Sequence, residues 1–264
     1  MFESVWQILP YDEAGSGPAV VLLHAGIADR TMWSEHLEPL ADAGYRVVAM
    51  DLSGFGESAV AAGEQAPWID VLATMDSLGL HDAVLVGNSF GGAVALRAAV
   101  VAPARVSALV LISAPAPGIE SSPELEAAWA AEEAALERGD VDAAVAAVLD
   151  TWTLPDAPAA LRERIAAMQR RAYDQQADTE AAEEAADPLE EDPDALRRLT
   201  IAALIAVGDR DKPEFRRGAE VLTQSLPQSR LETIQGAGHL APLETPEAFR
   251  ELLLHFLGER EQGS

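Results

Sequence analysis

The feature that most constrains this chain is the segment Leu-Val-Gly-Asn-Ser-Phe-Gly-Gly at residues 85–92. Residues 83–86, which lead into it, are all apolar, as in a strand buried on both faces of a parallel sheet. After it, an Ala- and Val-rich run continues to Pro103, where a helix would end. The pattern Gly-x-Ser-x-Gly between them predicts a sharp strand-to-helix turn with small flanking residues and an exposed Ser89 Oγ.

Other apolar runs place this turn within a larger alternation of strands and helices. Strands are predicted at residues 19–23, 46–50, 83–86, 106–112, 201–207 and 229–234, after an extended opening segment over 4–9. Helices are predicted at residues 29–43, 66–78, 93–102, 213–226 and 246–257. Strands that alternate with helices through short loops predict the α/β class, with a mostly parallel central sheet and helices on both faces.

The segment 118–198 breaks this alternation, because it has no strand pattern and is rich in Ala, Glu and Asp with scattered prolines. We therefore expect a core built from residues 1–117 and 199–264. Residues 118–198 would be inserted between two core strands as a helical cap, or lid, over the carboxyl edge of the sheet. The most acidic stretch, 178–194, is expected to be a loose, solvated run.

The net charge of −26 constrains the partners of the chain. Such a surface repels nucleic acid and anionic membranes, so we expect neither as a partner and expect a small-molecule substrate. The absence of cysteine excludes disulfides, thiolate metal sites and a cysteine nucleophile. No apolar run approaches the roughly 18 residues of a membrane span, and the first residues lack the pattern of a secretory signal. A cytoplasmic monomer or homodimer is the expectation.

Three residue types suited to nucleophilic catalysis follow three of the predicted strands. In open parallel sheets, active sites form in the loops at the carboxyl ends of the strands. Ser89, Asp211 and His239 each follow such an end and occur in this order. A serine hydroxyl is a weak nucleophile until a base accepts its proton, which a neutral imidazole can do near pH 7. A carboxylate can hold that imidazole in the required tautomer, and Asp209 is the alternative to Asp211.

Signatures of cofactors and metals are absent from the sequence. The glycines at 87–92 do not give the Gly-x-Gly-x-x-Gly spacing of a dinucleotide site, and the pair at 54 and 56 lacks a third glycine. The histidines are scattered, without a His-Glu-x-x-His pattern for zinc. We therefore expect no cofactor and no metal. His36 and His255 fall in predicted helices and His81 precedes a strand, so all three are interpreted as surface or packing residues.

Five segments together resemble the α/β-hydrolase-fold superfamily: residues 23–26, 51–58, 87–92, 208–211 and 236–239. The resemblance extends over residues 11–257, and the inserted segment is similar to the caps of actinobacterial-type hydrolases without a defined substrate. It implies a capped serine hydrolase in which Ser89 is the nucleophile and His239 the base. The carboxylate would be Asp211, at the fourth position of Gly-x-x-Asp, and His24 would have a structural role in its loop.

The resemblance further implies two backbone N–H groups that stabilise a developing oxyanion. One belongs to Phe90, directly after the nucleophile, and the other to Ile27. The family more commonly has His-Gly where this chain has His24-Ala25 followed by Gly26. Gly26 is therefore an alternative second donor.

Residues between cap and core are candidates to line a substrate pocket, among them Gly26. The apolar candidates are Trp33, Trp129, Trp152, Met168 and Leu240, each of which could instead simply pack the two layers together. An epoxide hydrolase or haloalkane dehalogenase of this fold would carry Asp at position 89, so Ser89 excludes both.

The function predicted from these residues is hydrolysis of a small, mostly apolar ester, lactone or related carbonyl compound through an acyl-enzyme, without a cofactor. Two alternatives stay open, because a fold does not determine its chemistry. The same three residues could serve carbon–carbon bond hydrolysis, perhydrolysis or a lyase step. The chain could also be a ligand-binding protein with little turnover.

Overall fold

The computed structural model describes residues 6–60, 63–177 and 184–262. Its strands are β1 Tyr11–Ala14, β2 Ala19–Leu23, β3 Arg46–Met50, β4 Ala83–Asn88, β5 Val106–Ile112, β6 Ala202–Gly208 and β7 Ser229–Ile234. They form one seven-stranded sheet in the order β1-β3-β2-β4-β5-β6-β7. β1 is antiparallel to β3, and the other neighbouring strands are parallel. The predicted α/β class and the mostly parallel sheet are confirmed.

Helices cover both faces of this sheet. They are α1 Ser34–Asp42, α2 Pro67–Ser77, α3 Phe90–Val101, α4 Pro123–Glu137, α5 Val141–Trp152, α6 Ala159–Gln176, α7 Pro188–Glu191, α8 Ala195–Arg198, α9 Pro213–Ser225, α10 Ala241–Glu244 and α11 Pro246–Gln262. On one face, α2, α3 and α9 bury Val71, Leu96 and Leu222. On the other, α1 and α11 bury Leu40 and Phe249. Because both faces are covered, the central strands are mostly apolar, and every residue of β4 is buried.

The extended opening segment, described from residue 6 onward, joins the sheet at Tyr11–Ala14. Among the described residues, the first strand begins at Tyr11. The backbone before it is held by side chains of α2 instead of by a neighbouring strand. The N–H of Gln7 donates to Asp70 Oδ1 at 2.9 Å, and that of Leu9 donates to Thr74 Oγ1 at 2.9 Å.

Two helix ends differ from their predictions. The helix expected over 29–43 is divided into a 3₁₀ turn at Arg30–Trp33 and α1, because Asp29 Oδ1 accepts the N–H of Thr31 at 3.0 Å and caps the turn. Helix α11 runs past Gly258, where it was predicted to end. Gly258 does not adopt the left-handed conformation of a helix-ending glycine, so the helix continues through it.

The helices α4 to α8 follow one another between β5 and β6. Helix α6 is tied to the loop after β2, because Arg171 Nε lies 3.0 Å from Asp29 Oδ2. A second ion pair joins Arg164 Nη1 of α6 to Glu35 Oε1 of α1 at 2.9 Å. None of the described helices is long and apolar enough to cross a membrane.

The expectation of a loose, solvated run over residues 178–194 holds only in part for residues 184–194: most of these side chains are exposed, but Pro188–Glu191 form α7. Asp187 forms an ion pair with Arg97 of α3, and its Oδ1 caps α7 by accepting the N–H of Leu189 at 2.9 Å. The Leu189 side chain is buried against the core. Residues 178–183 lie outside the described residues. This acidic segment forms a helical turn because the Asp187 carboxylate is paired with Arg97 and the Leu189 side chain is buried.

His36 makes the stability of the fold dependent on pH. Its ring is buried and packs against Trp33 and Phe249, and its Nε2 lies 2.9 Å from the carbonyl oxygen of Pro242. Burial lowers the pKa of His36 below its ordinary value of 6.5. The unfolded chain therefore binds a proton below about pH 6.5 that the folded chain does not, and stability falls with decreasing pH.

We expect the free energy of unfolding to fall more steeply with decreasing pH in the wild type than in His36→Gln. The difference in slope should reach up to about 1.4 kcal/mol per pH unit below pH 6.5 and vanish above it. Urea denaturation of both proteins at a series of pH values measures the two slopes. The exposed His255→Gln should keep the wild-type slope, and equal slopes in the wild type and His36→Gln would contradict the assignment.

Candidate active site

Ser89 lies at the turn between β4 and α3 with a backbone conformation that few non-glycine residues adopt. Its φ is 51° and its ψ is −114°. The turn is held on both sides: the N–H of Ser89 donates to the carbonyl of Ile112 at 2.8 Å, and its own carbonyl accepts the N–H of Ala93 at 3.0 Å. Strain of this kind persists only where the surroundings enforce it.

Two glycines allow the strand and helix to meet this closely. A Cβ at Gly87 would overlap the carbonyl of Gly91 in the first turn of α3. A Cβ at Gly91 would overlap the carbonyl of Leu23 at the end of β2 and lie 2.6 Å from the carbonyl oxygen of His24. The N–H of Gly91 donates to that same His24 oxygen at 3.0 Å. The two glycines of the Gly-x-Ser-x-Gly pattern therefore allow the backbone to pack closely on both sides of the serine.

The structure brings Ser89, His239 and Asp211 into one chain of hydrogen bonds. His239 Nε2 lies 2.8 Å from Ser89 Oγ, and His239 Nδ1 lies 3.1 Å and 3.3 Å from the two carboxylate oxygens of Asp211. His239 and Asp211 are both buried. Because the carboxylate can only accept from Nδ1–H, Nε2 of the neutral ring is left to accept the serine proton.

The loops after β6 and β7 position these two side chains. Asp211 follows β6, and its Oδ1 also accepts the N–H of Lys212 at 2.7 Å. Asp209 does not contact the histidine: its Oδ1 accepts the N–H of Gly236 at 2.8 Å and joins the two loops. The contact with His239 therefore distinguishes Asp211 from Asp209, a choice that the sequence left open.

His239 is held by its backbone and by its ring. Asn88 Nδ2 donates to the carbonyl of His239 at 3.0 Å, so the residue before the serine also fixes the histidine loop. The imidazole packs against two aromatic rings that also contact each other, Trp152 at 4.5 Å and Phe215 at 4.3 Å between centroids. Next to it, Glu244 Oε2 accepts the N–H of Gly238 at 2.7 Å, and burial raises the pKa of the Glu244 carboxyl.

The other histidines lie elsewhere. His24 is buried, with Nδ1 2.8 Å from the carbonyl of Ala25 and Nε2 accepting the N–H of Leu52 at 2.9 Å, so its ring links the loops after β2 and β3. His36 is buried in the core, as described above. His81 and His255 are exposed.

The backbone near Ser89 offers N–H groups for an oxyanion. The N–H of Gly91 is already used by the carbonyl of His24. Those of Phe90, Ile27 and Gly26 donate no hydrogen bond to another described residue. Gly26 and Ile27 line the cavity next to Ser89, so the choice of second donor between them stays open.

Two lobes of one cavity meet at Ser89, and both are lined by Ser89, Trp129 and Trp152. A lobe of about 220 Å³ is lined in addition by Ala25, Gly26, Ile27, Glu132, Gln169 and His239. A lobe of about 270 Å³ is lined in addition by Phe90, Ala93, Pro115, Ala116, Ile119, Glu120, Ser121, Leu125, Glu214 and Phe215. We call them the polar lobe and the apolar lobe. Among the described residues, no lysine or arginine lines either of them.

The predicted pocket residues divide into two groups. Gly26, Trp129 and Trp152 line the cavity, with Trp129 at its mouth and 43% exposed. The other three, Trp33, Met168 and Leu240, do not line either lobe and are fully or almost fully buried in the core beneath α1 and α11. For these three the prediction is wrong, because an apolar side chain near the cap looks the same in a sequence whether it faces a cavity or packs two layers.

Several residues that line the cavity were not among the predicted ones. Gln169 and Glu132 face the polar lobe from cap helices, and Phe215 contacts His239 from α9. Cap residues follow no motif, so only their helical spacing could have indicated that Glu132 and Trp129 share one face. No group of three or more His, Cys, Asp or Glu in the described part of the chain is arranged to hold a metal ion.

The chain belongs to the alpha/beta hydrolase fold family, whose model matches residues 18–246. That match includes the strand-to-helix turn, both loops that meet it and the inserted helices.

Relatives of the chain include hydrolases of different substrates. It is 41% identical over 112 residues to the 2-hydroxy-6-oxo-6-phenylhexa-2,4-dienoate hydrolase of Comamonas testosteroni, a match that covers 40% of this chain and 39% of that protein. The chain thus matches about two fifths of the length of that curated relative.

Solved structures match over nearly the whole chain. An esterase of Thermogutta terrifontis is 28% identical with a TM-score of 0.76, covering 95% of this chain and 93% of the other. A hydrolase of Pseudomonas aeruginosa is 27% identical with a TM-score of 0.75, covering 94% and 93%.

Proposed function

We propose that this chain is a serine hydrolase that cleaves a small, uncharged, mostly apolar ester or lactone through an acyl-enzyme. The observation that carries the proposal is the 2.8 Å contact between Ser89 Oγ and His239 Nε2 beneath a two-lobed cavity. The two lobes offer separate space for the two substituents of a carbonyl group that lies at Ser89.

The reaction begins when Ser89 Oγ attacks the carbonyl carbon and His239 Nε2 takes the hydroxyl proton. The charge that develops on the carbonyl oxygen would be stabilised by the N–H of Phe90 and that of Ile27 or Gly26. His239 then gives the proton to the leaving oxygen, and the alcohol departs. A water molecule, deprotonated by the same ring, attacks the acyl-enzyme and releases the acid.

Asp211 acts on the histidine instead of on the substrate. Its carboxylate lies 3.1 Å from His239 Nδ1 and favours the tautomer that leaves Nε2 as the proton acceptor. It also stabilises the imidazolium that forms after the proton transfer. Trp152 and Phe215 pack against the ring and limit its rotation away from Ser89.

The charge of the lining residues favours an uncharged substrate over an anionic one. Glu132 lines the polar lobe, and Glu120 and Glu214 line the apolar lobe. A carboxylate beside them would meet like charges, and neither lining contains a lysine or arginine to pair with it. The apolar side chains of the larger lobe favour a hydrocarbon substituent.

A second candidate is hydrolysis of a carbon–carbon bond, which the 41% identity to the Comamonas testosteroni enzyme favours. The substrate in that enzyme's name is a dienoate and so carries a carboxylate. The acidic lining of this cavity argues against the same substrate here. Cleavage of such a dienoate, without turnover of uncharged esters, would support the second candidate.

Labelling by a fluorophosphonate probe tests the proposed nucleophile. We expect one adduct per chain, on the peptide that contains Ser89, and none in Ser89→Ala. Ser113 is the matched control, because it also has a positive φ, of 49°, at the end of a neighbouring strand but does not contact a histidine. Ser113→Ala should label like the wild type. An adduct at another residue, or labelling of Ser89→Ala, refutes the assignment.

A further inference from the structure

The cap helix α6 contacts the core through one face, which includes Arg164, Met168 and Arg171. These residues are spaced three or four apart, so their side chains leave the helix on the same side. Arg164 Nη2 donates to the carbonyl oxygen of Thr31, and Met168 Sδ lies 3.5 Å from Thr31 Oγ1. Arg171 Nε donates to Asp29 Oδ2 at 3.0 Å. This face of α6 therefore contacts the loop that follows β2.

The Asp29 carboxylate joins that loop to the helix. Its side chain is only 2% exposed, and its two oxygens have different donors. Oδ1 accepts the N–H of Thr31 at 3.0 Å as well as the Thr31 hydroxyl, and Oδ2 accepts both Nε and Nη2 of Arg171. Burial alone would raise the pKa of Asp29, but the hydrogen bonds from Thr31 and Arg171 outweigh burial and lower it. Arg171 thus supplies the counter-charge of a buried carboxylate.

The turn that precedes Asp29, residues 25–28, carries the candidate second donors of the oxyanion site. We call it the donor turn. It is closed by a 3.0 Å hydrogen bond from the N–H of its last residue to the carbonyl of its first. Gly26 and Ile27, in its middle, line the cavity beside Ser89. A shift of this turn would therefore change the distance between its N–H groups and the reacting carbonyl.

Anchors lie on both sides of the donor turn. Before it, the carbonyl of His24 accepts an N–H of α3 at 3.0 Å. After it, the N–H of Arg30 donates to Asp51 Oδ1 at 2.7 Å, and Arg171 holds the Asp29 side chain. The first two of these anchors belong to the core. The third comes from the cap and acts on the residue that directly follows the turn.

We propose that Arg171 is a positioning residue that, through Asp29, places the donor turn for stabilisation of the oxyanion. The inference rests on the proposed function, in which an N–H of this turn stabilises the developing charge. Arg171 lines neither lobe of the cavity, so it acts through Asp29 and not on the substrate. Without it, the buried carboxylate loses its counter-charge and moves toward water, and the donor turn moves with it. The cap thereby contributes to the transition state as well as covering the site.

Arg171→Gln should lower the kcat of ester hydrolysis by about ten- to a hundredfold and change KM by less than about threefold. The reason is that the donor turn acts on the oxyanion, whereas the two lobes bind the substituents of the substrate. Arg171→Lys keeps the charge but loses the two-nitrogen contact, so its kcat should lie between those of the wild type and Arg171→Gln. Steady-state kinetics on one ester measures all three proteins.

Arg170→Gln is the matched control for this loss. Arg170 is the neighbouring residue of α6 and has the same exposed fraction of its side chain, 45%. Its partner is Asp142 of α5, at 2.6 Å, so its ion pair lies within the cap. The kcat of Arg170→Gln should equal that of the wild type. An equal loss in Arg170→Gln and Arg171→Gln would assign the effect to the cap as a whole and overturn the inference.

Two ketones separate stabilisation of the oxyanion from a general loss of structure. Ser89 Oγ adds to the carbonyl carbon of 1,1,1-trifluorohexan-2-one, the hydroxyl proton passes to His239 Nε2, and the carbonyl oxygen becomes an oxyanion without a leaving group. Hexan-2-one occupies the cavity without a stable adduct. In Arg171→Gln, calorimetry should give a Kd about tenfold higher or more for the trifluoromethyl ketone and a change of less than about threefold for hexan-2-one. Equal weakening of both ketones overturns the inference.

The same ketones separate this inference from the proposed function. If the wild type forms the adduct but cleaves no ester, the proposed function fails, and a selective loss of adduct affinity in Arg171→Gln still supports the inference. If Arg171→Gln cleaves esters like the wild type, the inference is overturned and the proposed function stands. Absence of an adduct in the wild type, followed by fluorine NMR, also overturns the inference. Should thermal melts show Arg171→Gln unfolded at the assay temperature, Arg171→Lys carries the comparison, with a smaller change of the same sign.

Discussion

Ser89→Ala and His239→Gln are each expected to lower the kcat of ester hydrolysis by about 10⁴- to 10⁶-fold, and the double variant should be no slower than either single one. The reason is the 2.8 Å contact between Ser89 Oγ and His239 Nε2. Without the hydroxyl the ring has no proton to take, and without the ring the hydroxyl is not activated. Removal of either group therefore removes the same step.

Steady-state kinetics on one ester measures the loss of kcat. Each variant is purified separately from the wild type. Neither variant should unfold, because Ser89 and His239 are anchored chiefly by their backbones, through the carbonyl of Ile112 and the amide of Asn88. The exposed His81→Gln should retain full activity. Activity of His239→Gln within tenfold of the wild type would assign the base to another group. A double variant slower than both single ones would show that the two residues do not act as a unit.

Much of the fold could be predicted because a strand that is covered on both faces must be apolar, and such apolar runs are visible in the sequence. Strands β2 to β6 are covered on both faces, so their apolar runs contrast sharply with the loops. The segment before the first strand has no such apolar run. Its N–H groups bond to side chains of Asp70 and Thr74, which lie more than sixty residues away and leave no periodic trace around Gln7 and Leu9.

The proposed catalytic residues could be located because each follows a strand, and strands of a parallel sheet end at one edge. The spatial meeting of Ser89, Asp211 and His239 is therefore implied by topology, whereas the choice of Asp211 over Asp209 depended on the resemblance. The geometry supplies the physical reason: Asp209 is occupied by the N–H of Gly236.

The cavity lining could not be predicted in the same way. Trp33 and Trp152 are both large apolar residues near the cap, yet Trp33 packs against Phe249 and Trp152 against His239. The difference depends on the angle at which the inserted helices lie on the sheet, which no local pattern encodes. Gln169 was missed because a single polar residue in a charged helix has no signature until its place at the cavity is seen in three dimensions.

The close approach of α3 to β2 has a consequence for stability as well as for the site. Gly91 lies where the first turn of α3 meets the carbonyls of Leu23 and His24, and those carbonyls begin the loop that carries Gly26 and Ile27. Backbone atoms, unlike the ends of flexible side chains, can yield only if strand or helix moves. The same displacement would separate the N–H of Phe90 from the N–H groups of that loop.

Gly91→Ala is therefore expected to lower the free energy of unfolding by about 3 kcal/mol or more and to lower kcat/KM by at least about a hundredfold in the protein that remains folded. The added Cβ would lie 2.6 Å from the His24 carbonyl oxygen and would overlap the carbonyl of Leu23. The accompanying shift would also stretch the 3.0 Å hydrogen bond from the Gly91 N–H to His24. Urea denaturation and kinetics below the unfolding transition measure the two effects separately.

Gly258→Ala is the matched control, because it makes the same chemical change in α11 at a position where no heavy atom lies within 4 Å of the new Cβ. Its φ is not in the left-handed region, so alanine should stabilise the helix by about 0.5–1 kcal/mol and leave activity unchanged. If Gly91→Ala were as stable and as active as the wild type, the contact between α3 and β2 would be looser than described. A loss of activity without a loss of stability would instead place the strain in the loop of Gly26 and Ile27 alone, since that loop can shift while the sheet stays intact.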